Sequence, residues 1–447
     1  MAYKYFRTDG IRGQANTFPM TAETALRIGM AVGSHFRVND KNNHRVVIGK
    51  DTRRSGYMLE NALTAGLAAM GMNVLLLGPI PTPAIGLLTR SMRADLGLMI
   101  TASHNTHEDN GFKLFGPDGF KLSQSEERKI ESLIDSHLNL VGPSEIGSAK
   151  RIDGVLGRYV EFVKTTVPKN LRLDGLRIVI DCANGAGYKV APEILWELGA
   201  EVVPLGVQPN GLNINDNCGS THPQSLINKM KETRSDLGIA LDGDADRVLM
   251  CDEKGIVIDG DQILALLAKD KSKNKTLKKA TVVATVMSNL GLERFLASAD
   301  IKLARTQVGD RFVTEKMVKE GYNLGGEQSG HIILSDYTTT GDGLICALQF
   351  LAILVKSQKK ASELSRVFSP VPQILKNYRV GVGVDPLAQE NVQLVVNKAK
   401  EKLKGCGRVL VRNSGTEPLA RVMVEGDDLS IIEAIAEEIG HEILKAN

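Results

Sequence analysis

The sequence has little of what marks several classes of protein. Aromatic residues make up 4% of its 447 residues, which argues against stacking platforms for nucleic-acid bases. The 55 basic residues are nearly balanced by 52 acidic ones, so there is no basic footprint for nucleic acid and no acidic tail. The longest apolar run, Leu344 to Val355, is interrupted by Gln349 and is shorter than the roughly 20 residues of a membrane-spanning helix. We therefore expect neither a nucleic-acid partner nor a membrane partner.

Cysteine pairs and an apolar leader are also lacking. The five cysteines are odd in number, lie far apart and form no Cys-x-x-Cys motif, which excludes a disulfide framework and a cysteine zinc site. The first ten residues contain no apolar segment of the kind found in signal peptides. These features predict a protein of the reducing cytoplasm.

What the sequence does have is a repeated alternation of strand and helix patterns. Each of three segments has an apolar β-rich run, a Gly/Ser/Asn-rich turn, a helical stretch and a second apolar run near glycine. The paired runs are 45–49 with 71–78, 177–181 with 199–206, and 281–285 with 301–309. Such alternation is typical of βαβ units around a mostly parallel sheet. We predict three similar mixed α/β domains in tandem.

The last part of the chain follows another pattern. Its predicted elements are a strand, a helix, two strands and a closing helix, at 378–384, 392–403, 409–411, 420–424 and 432–443. This order predicts a smaller C-terminal α+β domain, and the two prolines Pro370 and Pro372 mark its boundary. The predicted domains are 1–153, 154–255, 256–369 and 370–447.

A cluster of carboxylates follows the predicted buried strand 237–241. In Asp242-Gly-Asp-Ala-Asp-Arg247 the aspartates stand two residues apart, so they would repel each other unless a cation lay among them. Such oxygen ligands select Mg²⁺, Ca²⁺ or Mn²⁺. An EF-hand does not fit, because Arg247 stands where its turn requires glycine. A solvated acidic turn is the alternative, but the carboxyl end of a strand is where α/β sheets bind ligands. Since Mg²⁺ often completes its shell with a phosphate oxygen, the cluster predicts a phosphorylated partner.

A second polar loop, Thr101-Ala-Ser-His-Asn105, follows the predicted strand 96–100. No Gly-x-Ser-x-Gly elbow surrounds Ser103, and a helix cap or turn is its ordinary alternative. A phosphate on Ser103 would add nearly two negative charges, which a metal held by the aspartates would neutralise. The residues alone do not show whether the two loops meet.

Two further loops offer groups suited to a phosphorylated sugar. Gly325-Gly-Glu-Gln-Ser-Gly-His331 places a carboxylate, an amide, a hydroxyl and an imidazole between glycines, which suits a polyol; the alternative is a common glycine-rich turn. Arg412-Asn-Ser-Gly-Thr-Glu-Pro418, followed by Arg421, has hydroxyls, turn N–H groups and guanidinium groups suited to an anion; the alternative is a polar hairpin. Arg12 could reach a phosphate or cap a helix.

Five segments together resemble the α-D-phosphohexomutase superfamily over nearly the whole chain. They are Thr8-Asp-Gly-Ile-Arg-Gly13, Thr101-Ala-Ser-His-Asn105, Asp242-Gly-Asp-Ala-Asp-Arg247, Gly326-Glu-Gln-Ser-Gly-His331 and Arg412-Asn-Ser-Gly-Thr-Glu417. The fourth is similar to the branch that acts on glucosamine phosphates, whereas branches for mannose and glucose phosphates typically have methionine where Gln328 stands. The resemblance implies four domains around a central cleft, the first three alike. Thr106 replaces a usual proline and Thr101 a frequent serine, which we expect to alter loop geometry more than activity.

The resemblance also implies a role for each residue that matches a motif. The catalytic and metal positions are Ser103, Lys113, His104, Arg12, Asp242, Asp244 and Asp246. Ser103 would carry the phosphoryl group and join the aspartates around one Mg²⁺ per chain, and Lys113 or His104 would move the proton. The sugar and phosphate contacts would be Arg247, Glu327, Gln328, Ser329, His331, Arg412, Asn413, Ser414, Gly415, Thr416 and Arg421.

These roles imply an isomerase that interconverts glucosamine 6-phosphate and glucosamine 1-phosphate. Glucosamine 1,6-bisphosphate would be its intermediate or primer, and the product would serve UDP-N-acetylglucosamine and peptidoglycan synthesis. The expected partner is a small phosphosugar, with a homodimer as one expectation for the assembly. The alternatives are a phosphomannomutase or phosphoglucomutase, a catalytically silent phosphosugar-binding protein and a metal-dependent phosphatase.

Overall fold

The first third of the chain builds a seven-stranded mixed sheet in the computed structural model, which describes residues 4–7, 9–37, 43–381, 385–413 and 419–446. The strands are β1 (Phe6–Arg7), β2 (Gly10–Gln14), β3 (Arg45–Lys50), β4 (Asn73–Pro79), β5 (Leu96–Ile100), β6 (Asp109–Phe115) and β7 (Ala149–Arg151). The helices are α1 (Ala22–Phe36), α2 (Ser55–Ala69), α3 (Thr82–Ser91) and α4 (Gln124–Ile134). The order is β1-β2-β6-β5-β3-β4-β7, and β3 is parallel to both β4 and β5. The carboxyl ends of β3 and β5 therefore lie at the same edge of the sheet.

The second sheet has five strands. They are β8 (Arg177–Asp181), β9 (Glu201–Leu205), β10 (Leu237–Leu241), β11 (Val248–Asp252) and β12 (Val257–Ile258), in the order β12-β11-β10-β8-β9. Helices α5 (Val155–Thr165), α6 (Val190–Glu197) and α7 (Gln224–Thr233) accompany them. Strand β10 is parallel to β8 and antiparallel to β11. The loop 242–247 thus joins two neighbouring strands as a hairpin and starts at the carboxyl end of a buried strand.

The third sheet is shorter, because glycines occupy one of its strands. Its strands are β13 (Thr281–Thr285), β14 (Lys302–Thr306), β15 (Gly325–Gly326) and β16 (Ile332–Ile333), in the order β14-β13-β15-β16. Its segment also contains α8 (Gly260–Lys273), α9 (Leu290–Ser298), α10 (Asp310–Glu320), α11 (Gly343–Ser357) and α12 (Ala361–Leu364). The apolar run from Leu344 is helix α11, whose apolar side chains lie largely in the protein core. Across the described ranges, no helix combines the length and apolarity that a bilayer crossing requires.

The C-terminal sheet has three antiparallel strands in the order β17-β19-β18. Its elements are β17 (Gln373–Arg379), α13 (Glu390–Lys402), β18 (Gly407–Asn413), β19 (Leu419–Gly426) and α14 (Leu429–Lys445). The predicted start of the first strand at residue 378 was wrong, because β17 begins directly after Pro372 and pairs with β19 from Gln373 onward. Its alternation is weak: Ile374 and Tyr378 pack against the core while Leu375 is exposed. The fold class, three α/β parts and a smaller α+β part, is confirmed.

The chain divides into two compact units. The first contains residues 1–285 and 304–366, and the second contains 286–303 and 367–447. In the second unit the buried carboxylate of Glu425 on β19 accepts hydrogen bonds from Arg408 Nε at 2.5 Å and from the N–H of Leu290, the first residue of α9, at 3.2 Å. In the first unit the Tyr159 hydroxyl donates to Asp342 at 2.9 Å, which joins α5 to the start of α11. Each unit therefore has its own polar contacts between distant segments.

Candidate active site

The serine loop and the aspartate loop meet in the first unit. Ser103 lies three residues beyond the end of β5, and Asp242 directly follows β10. The Ser103 hydroxyl donates a hydrogen bond to Asp242 Oδ2 at 2.6 Å, and both residues are 1% exposed. Two loops that are 139 residues apart in sequence thus place a hydroxyl nucleophile directly beside a carboxylate.

The three aspartates form a candidate metal centre. Groups of three or more His, Cys, Asp or Glu residues whose ligand atoms all lie within 4.8 Å of one another could hold a metal ion. Within the described part of the chain there is one such group, Asp242, Asp244 and Asp246. Asp244 Oδ1 and Asp246 Oδ1 are buried and accept no hydrogen bond of good geometry, and His331 Nδ1 lies 3.4 Å from Asp246 Oδ1. Burial and the two neighbouring carboxylates hold the pKa of Asp242 well above its ordinary value. Converging oxygens that lack hydrogen bonds fit a hard divalent cation.

A buried lysine neutralises part of this negative charge. Lys113 on β6 is 1% exposed, and its Nζ lies 2.8 Å from both Asp244 Oδ2 and Asp246 Oδ2. Burial favours its neutral amine, but the two carboxylates outweigh burial and keep the Lys113 pKa well above its ordinary value. Burial likewise opposes ionisation of Asp246, but Lys113, His331 and Arg247 together outweigh burial and keep the Asp246 pKa well below its ordinary value. Lys113, predicted from the resemblance as a candidate for proton transfer, thus lies directly beside two of the three aspartates.

The backbone of the serine loop has a specific conformation. Ser103 adopts φ 51°, in the left-handed region that few non-glycine residues use. The Thr101 hydroxyl accepts the N–H of Ser103 at 2.9 Å and donates to Asp51 Oδ2 at 2.6 Å. A hydroxyl is all that these two bonds require, so threonine serves where the related branch often has serine.

A glycine allows the two loops to approach each other. A Cβ atom at Gly243 would lie 2.7 Å from the Ser103 carbonyl oxygen and 2.6 Å from the side-chain nitrogen of Asn215. Real Cβ atoms essentially never approach so closely, so any side chain at this position would push the loops apart. Gly243 is therefore a structural requirement of the pairing between Ser103 and Asp242.

Sequence reasoning missed four polar residues that contact these loops. Arg53 and Asn215 donate to the Ser103 carbonyl at 3.1 and 2.8 Å, and the Thr82 hydroxyl donates to Asp244 Oδ2 at 2.6 Å. Asp51 and Arg53 directly follow β3, whose carboxyl end lies at the same sheet edge as that of β5. Their position after a predicted strand could have identified Asp51 and Arg53 as candidate site residues. No local sequence pattern identifies Thr82 or Asn215.

The remaining predicted catalytic residues are cationic or imidazole groups around the same loops. Burial, then the positive charges of Arg247 and Arg12, lower the pKa of His104 to about 4. Burial disfavours the charged form of Arg12, but Asp9, Asp244 and Asp246 together outweigh burial and raise the Arg12 pKa. The backbone N–H of Arg247 donates to Asp242 Oδ1 at 3.1 Å. Burial and the positive charges of Arg247 and Arg12 therefore favour the neutral form of the His104 imidazole.

The predicted sugar loop packs directly against the strand that follows the aspartates. Gly330 adopts φ 89°, and a Cβ there would lie 2.0 Å from the carbonyl oxygen of Val248. Glu327 is buried and its Oε1 accepts the N–H of Gly309 at 3.1 Å, and burial raises the Glu327 pKa. Ser329 is exposed. The backbone of the sugar loop at Gly330 thus packs against Val248, the first residue after the aspartate loop 242–247.

Gln328 and His331 of this loop face other side chains. The Gln328 amide donates to Asp259 Oδ2 at 3.3 Å. His331 Nε2 accepts the N–H of Gly341 at 3.1 Å, which leaves the proton on Nδ1, 3.4 Å from Asp246 Oδ1. His331 therefore contacts the metal centre, while the contact of Gln328 is with the start of α8.

The predicted phosphate clamp belongs to the second unit. Arg412 on β18 and Arg421 on β19 are directly paired across the two strands. Burial and then the Arg421 guanidinium lower the pKa of Arg412, as expected for adjacent cations that suit an anion. Asn413 donates to Asp385 Oδ1 at 2.8 Å. Ser414, Gly415 and Thr416 lie outside the described residues.

Comparison with known families identifies the class of protein. Models of the phosphoglucomutase/phosphomannomutase family match the chain in four parts: alpha/beta/alpha domain I at 3–140, domain II at 157–255, domain III at 259–371 and the C-terminal domain at 353–441. The chain therefore belongs to the phosphoglucomutase/phosphomannomutase family. The family implies metal binding by the aspartate triad.

Individual relatives narrow the comparison. The chain is 60% identical over 446 residues to the phosphoglucosamine mutases of Paracoccus denitrificans and Zymomonas mobilis, covering 100% of each chain. A phosphoglucomutase/phosphomannomutase family protein from Burkholderia thailandensis has a similar structure, with a TM-score of 0.81 at 26% identity over 99% of this chain and 97% of its own. The N-acetylphosphoglucosamine mutase of Aspergillus fumigatus, solved with GlcNAc-6P and magnesium, shares the fold at a TM-score of 0.67 and 17% identity, over 100% of this chain and 96% of its own. The prediction of an enzyme of the phosphohexomutase class is confirmed.

Proposed function

We propose that the enzyme interconverts glucosamine 6-phosphate and glucosamine 1-phosphate through a phosphoserine at Ser103. The observation that carries this proposal is the hydrogen bond between Ser103 Oγ and Asp242 Oδ2 at 2.6 Å, inside the buried aspartate triad. The sugar assignment is supported by the likeness, over the whole chain, to relatives named phosphoglucosamine mutase.

In the first half-reaction, phospho-Ser103 transfers its phosphoryl group to the free hydroxyl of the bound sugar phosphate. The bond between phosphorus and Ser103 Oγ breaks as the sugar oxygen bonds to phosphorus, and the hydroxyl proton passes to a base. The product is glucosamine 1,6-bisphosphate. In the second half-reaction this intermediate, bound in the opposite orientation, returns its other phosphoryl group to Ser103: the Ser103 oxygen bonds to phosphorus and loses its proton, the bond between phosphorus and the sugar oxygen breaks, and that oxygen takes up a proton. The phosphoserine is thereby regenerated, and no phosphate is consumed.

The residues of the first unit divide this work. Asp242, Asp244 and Asp246 would hold one Mg²⁺, which offsets negative charge on the phosphoryl oxygens. Lys113 and His104 remain the two candidates for proton transfer.

Cations and the sugar loop bind and orient the substrate. Arg12 and Arg247 place positive charge beside the serine loop, where it favours a phosphoryl group. Glu327 and Ser329 bind sugar hydroxyls in this proposal. Arg412, Asn413, Ser414, Gly415, Thr416 and Arg421 are proposed to bind the phosphate group that is not transferred.

A competition assay tests the sugar assignment. The enzyme is supplied with Mg²⁺, a trace of bisphosphate and the 6-phosphates of glucosamine, glucose and mannose, and kcat/KM is compared. We expect a clear preference for glucosamine 6-phosphate. A preference for mannose or glucose phosphate would overturn the sugar assignment and keep the chemistry, whereas steady release of inorganic phosphate would indicate a phosphatase.

Intact-protein mass tests the phosphoserine. We expect a fraction about 80 Da heavier that is absent from Ser103→Ala, and we expect that variant to have no mutase activity. Full activity of an unmodified protein would contradict the phosphoserine mechanism. If the competition assay shows no turnover of glucosamine, glucose or mannose 6-phosphate, the result would instead favour a phosphosugar-binding protein without catalytic activity.

A further inference from the structure

We infer that Arg53 is a positioning residue for the nucleophilic serine, acting through the backbone of the serine loop. This inference rests on the proposed role of Ser103 and adds a residue that the sequence motifs do not include. Arg53 is 0% exposed, although arginine is among the residues least often buried. A buried guanidinium needs a partner for each N–H group, and the segment 103–109, which starts in the serine loop, supplies four of the five.

All five N–H groups of the Arg53 side chain point at oxygen acceptors. Nε donates to Asp51 Oδ2 at 2.8 Å. Nη2 donates to the carbonyl oxygens of Ser103 at 3.1 Å and Asn105 at 2.8 Å. Nη1 donates to the carbonyl oxygens of Thr106 and Asp109, the latter at 3.1 Å. One planar group therefore fixes four carbonyls of the segment that follows β5.

Asn215, from the loop before α7, contacts two of the same carbonyls. Its Nδ2 donates to the Ser103 and Asn105 carbonyl oxygens at 2.8 Å each. Arg53 and Asn215 thus approach this stretch of loop from different parts of the chain. Their shared acceptors are the carbonyl oxygens of the two residues that flank His104, and Ser103 holds its left-handed φ of 51° between these contacts and β5. The direction of the Ser103 hydroxyl follows from this backbone conformation.

The contacts indicate that Arg53 acts by geometry more than by charge. Its guanidinium forms an ion pair with Asp51, which is 1% exposed, so the pair adds no net charge. Its remaining contacts are with carbonyl oxygens of the backbone. A lysine would keep the positive charge, but it has three N–H groups at a single point and cannot reproduce the planar fork.

Arg53→Lys therefore tests the inference, with Arg54→Lys as its matched control at the exposed neighbouring position. The first readout is the rate at which glucosamine 1,6-bisphosphate transfers a phosphoryl group to Ser103. This loading rate is measured from the intact-protein mass over time. The second is kcat and KM for glucosamine 6-phosphate. Because a misplacement of about 1 Å can cost about 100-fold in rate, we expect Arg53→Lys to lose roughly that factor in loading rate and kcat, with KM nearly unchanged. Arg54→Lys should match the wild type.

Asn215→Ala gives a second test that leaves the buried arginine in place. We expect a smaller loss, about 10-fold in loading rate, again with little change in KM. This variant decides the question if Arg53→Lys does not fold. A merely structural role would lower the thermal unfolding temperature of the variants and leave their loading rate per folded molecule at the wild-type value, which would overturn the inference.

The wild-type protein separates the two hypotheses. If wild-type Ser103 takes up a phosphoryl group and the variants load equally fast, the inference fails and the proposed function stands. If wild-type Ser103 takes up no phosphoryl group, the proposed function fails and the inference fails with it.

Discussion

The side-chain amide of Gln328 donates a hydrogen bond to Asp259 Oδ2 at 3.3 Å. Asp259 is the N-cap of α8, and its other carboxylate oxygen accepts the N–H of Gln262 at 3.0 Å. The backbone carbonyl of Gln328 also accepts the N–H of Gly260 at 3.0 Å. Gln328 therefore ties the sugar loop to the start of α8, at the position where the sequence suggested a group that distinguishes amino sugars.

Replacing Gln328 by methionine should accordingly change sugar preference little. We expect the ratio of kcat/KM for glucosamine 6-phosphate over glucose 6-phosphate to stay within about threefold of the wild type, which is less than 1 kcal/mol of discrimination. Loss of the half-buried hydrogen bond between Gln328 and Asp259 should lower the free energy of unfolding by about 1 kcal/mol. A shift of preference toward glucose or mannose phosphate by an order of magnitude would instead show that Gln328 reads the sugar.

Gly243 and Gly157 allow the same substitution to be compared in two environments. A Cβ at Gly243 would meet the Ser103 carbonyl oxygen at 2.7 Å, whereas a Cβ at Gly157, on α5, would meet nothing within 4 Å. We expect Gly243→Ala to lower kcat by about 100-fold, because the serine and metal loops must separate. Gly157→Ala should keep full activity and gain about 0.5–1 kcal/mol of stability, as alanine does in a helix. Mutase kinetics and thermal unfolding measure both, and a fully active Gly243→Ala protein would contradict the close packing of the loops.

Divalent cations should stabilise the folded protein through the aspartate triad. A ligand at about 100 times its Kd adds about 2.7 kcal/mol to the stability of the folded state, so Mg²⁺ should raise the unfolding temperature and EDTA should reverse the rise. Asp244→Asn should abolish most of the shift, and Asp153→Asn, an exposed carboxylate elsewhere on the first unit, should leave it intact. An equal shift in both variants would place the cation outside the triad.

Asp342 should make stability depend on pH. Burial raises its pKa to about 6 in the folded protein, against about 3.9 in an unfolded chain. The folded state therefore binds more protons between these values, and stability falls as the pH rises from about 4 to about 6 and is level above that. Asparagine keeps an oxygen for the helix cap and has no charge to bury.

The measurement is the difference in unfolding temperature between Asp342→Asn and the wild type as a function of pH. We expect this difference to rise in favour of Asp342→Asn from pH 4 to pH 6 and then to stay constant. Asp153→Asn should show a constant difference over the same range. A flat profile for Asp342→Asn would show that Asp342 is as easily ionised in the folded protein as in the unfolded chain.

Local patterns were sufficient for the elements that build the sheets. The runs 177–181, 237–241 and 281–285 are strands β8, β10 and β13 at the same bounds, because a short, largely apolar run that ends at polar or glycine-rich residues is a strong signal for a buried strand. The first C-terminal strand was misplaced, since its exposed Leu375 and half-buried Lys376 obscure the alternation. The strands whose bounds were predicted correctly have a strong apolar pattern, whereas the misplaced strand β17 has a weak one.

For the site, the sequence indicated the loops but not what holds them in place. Ser103 and the aspartates were predicted from polar residues at strand ends, and the structure brings them to hydrogen-bonding distance. Thr82 and Asn215 contact the two loops from 162 and 112 residues away in sequence. A single threonine or asparagine has no local pattern, so only the tertiary fold could reveal such residues.

The buried apolar cluster of the first sheet contains only residues between Tyr5 and Ile134, whereas the partners of Ser103 include Asp242 and Asn215. A fragment that ended before the second sheet would keep this cluster and lose Asp242 and Asn215, two of the residues that bond to Ser103. Such a fragment would have no catalytic activity. Cleavage between the first and the second sheet would therefore separate Ser103 from Asp242 and Asn215 and abolish the chemistry, although the apolar cluster of the first sheet lies wholly on one side of the cut.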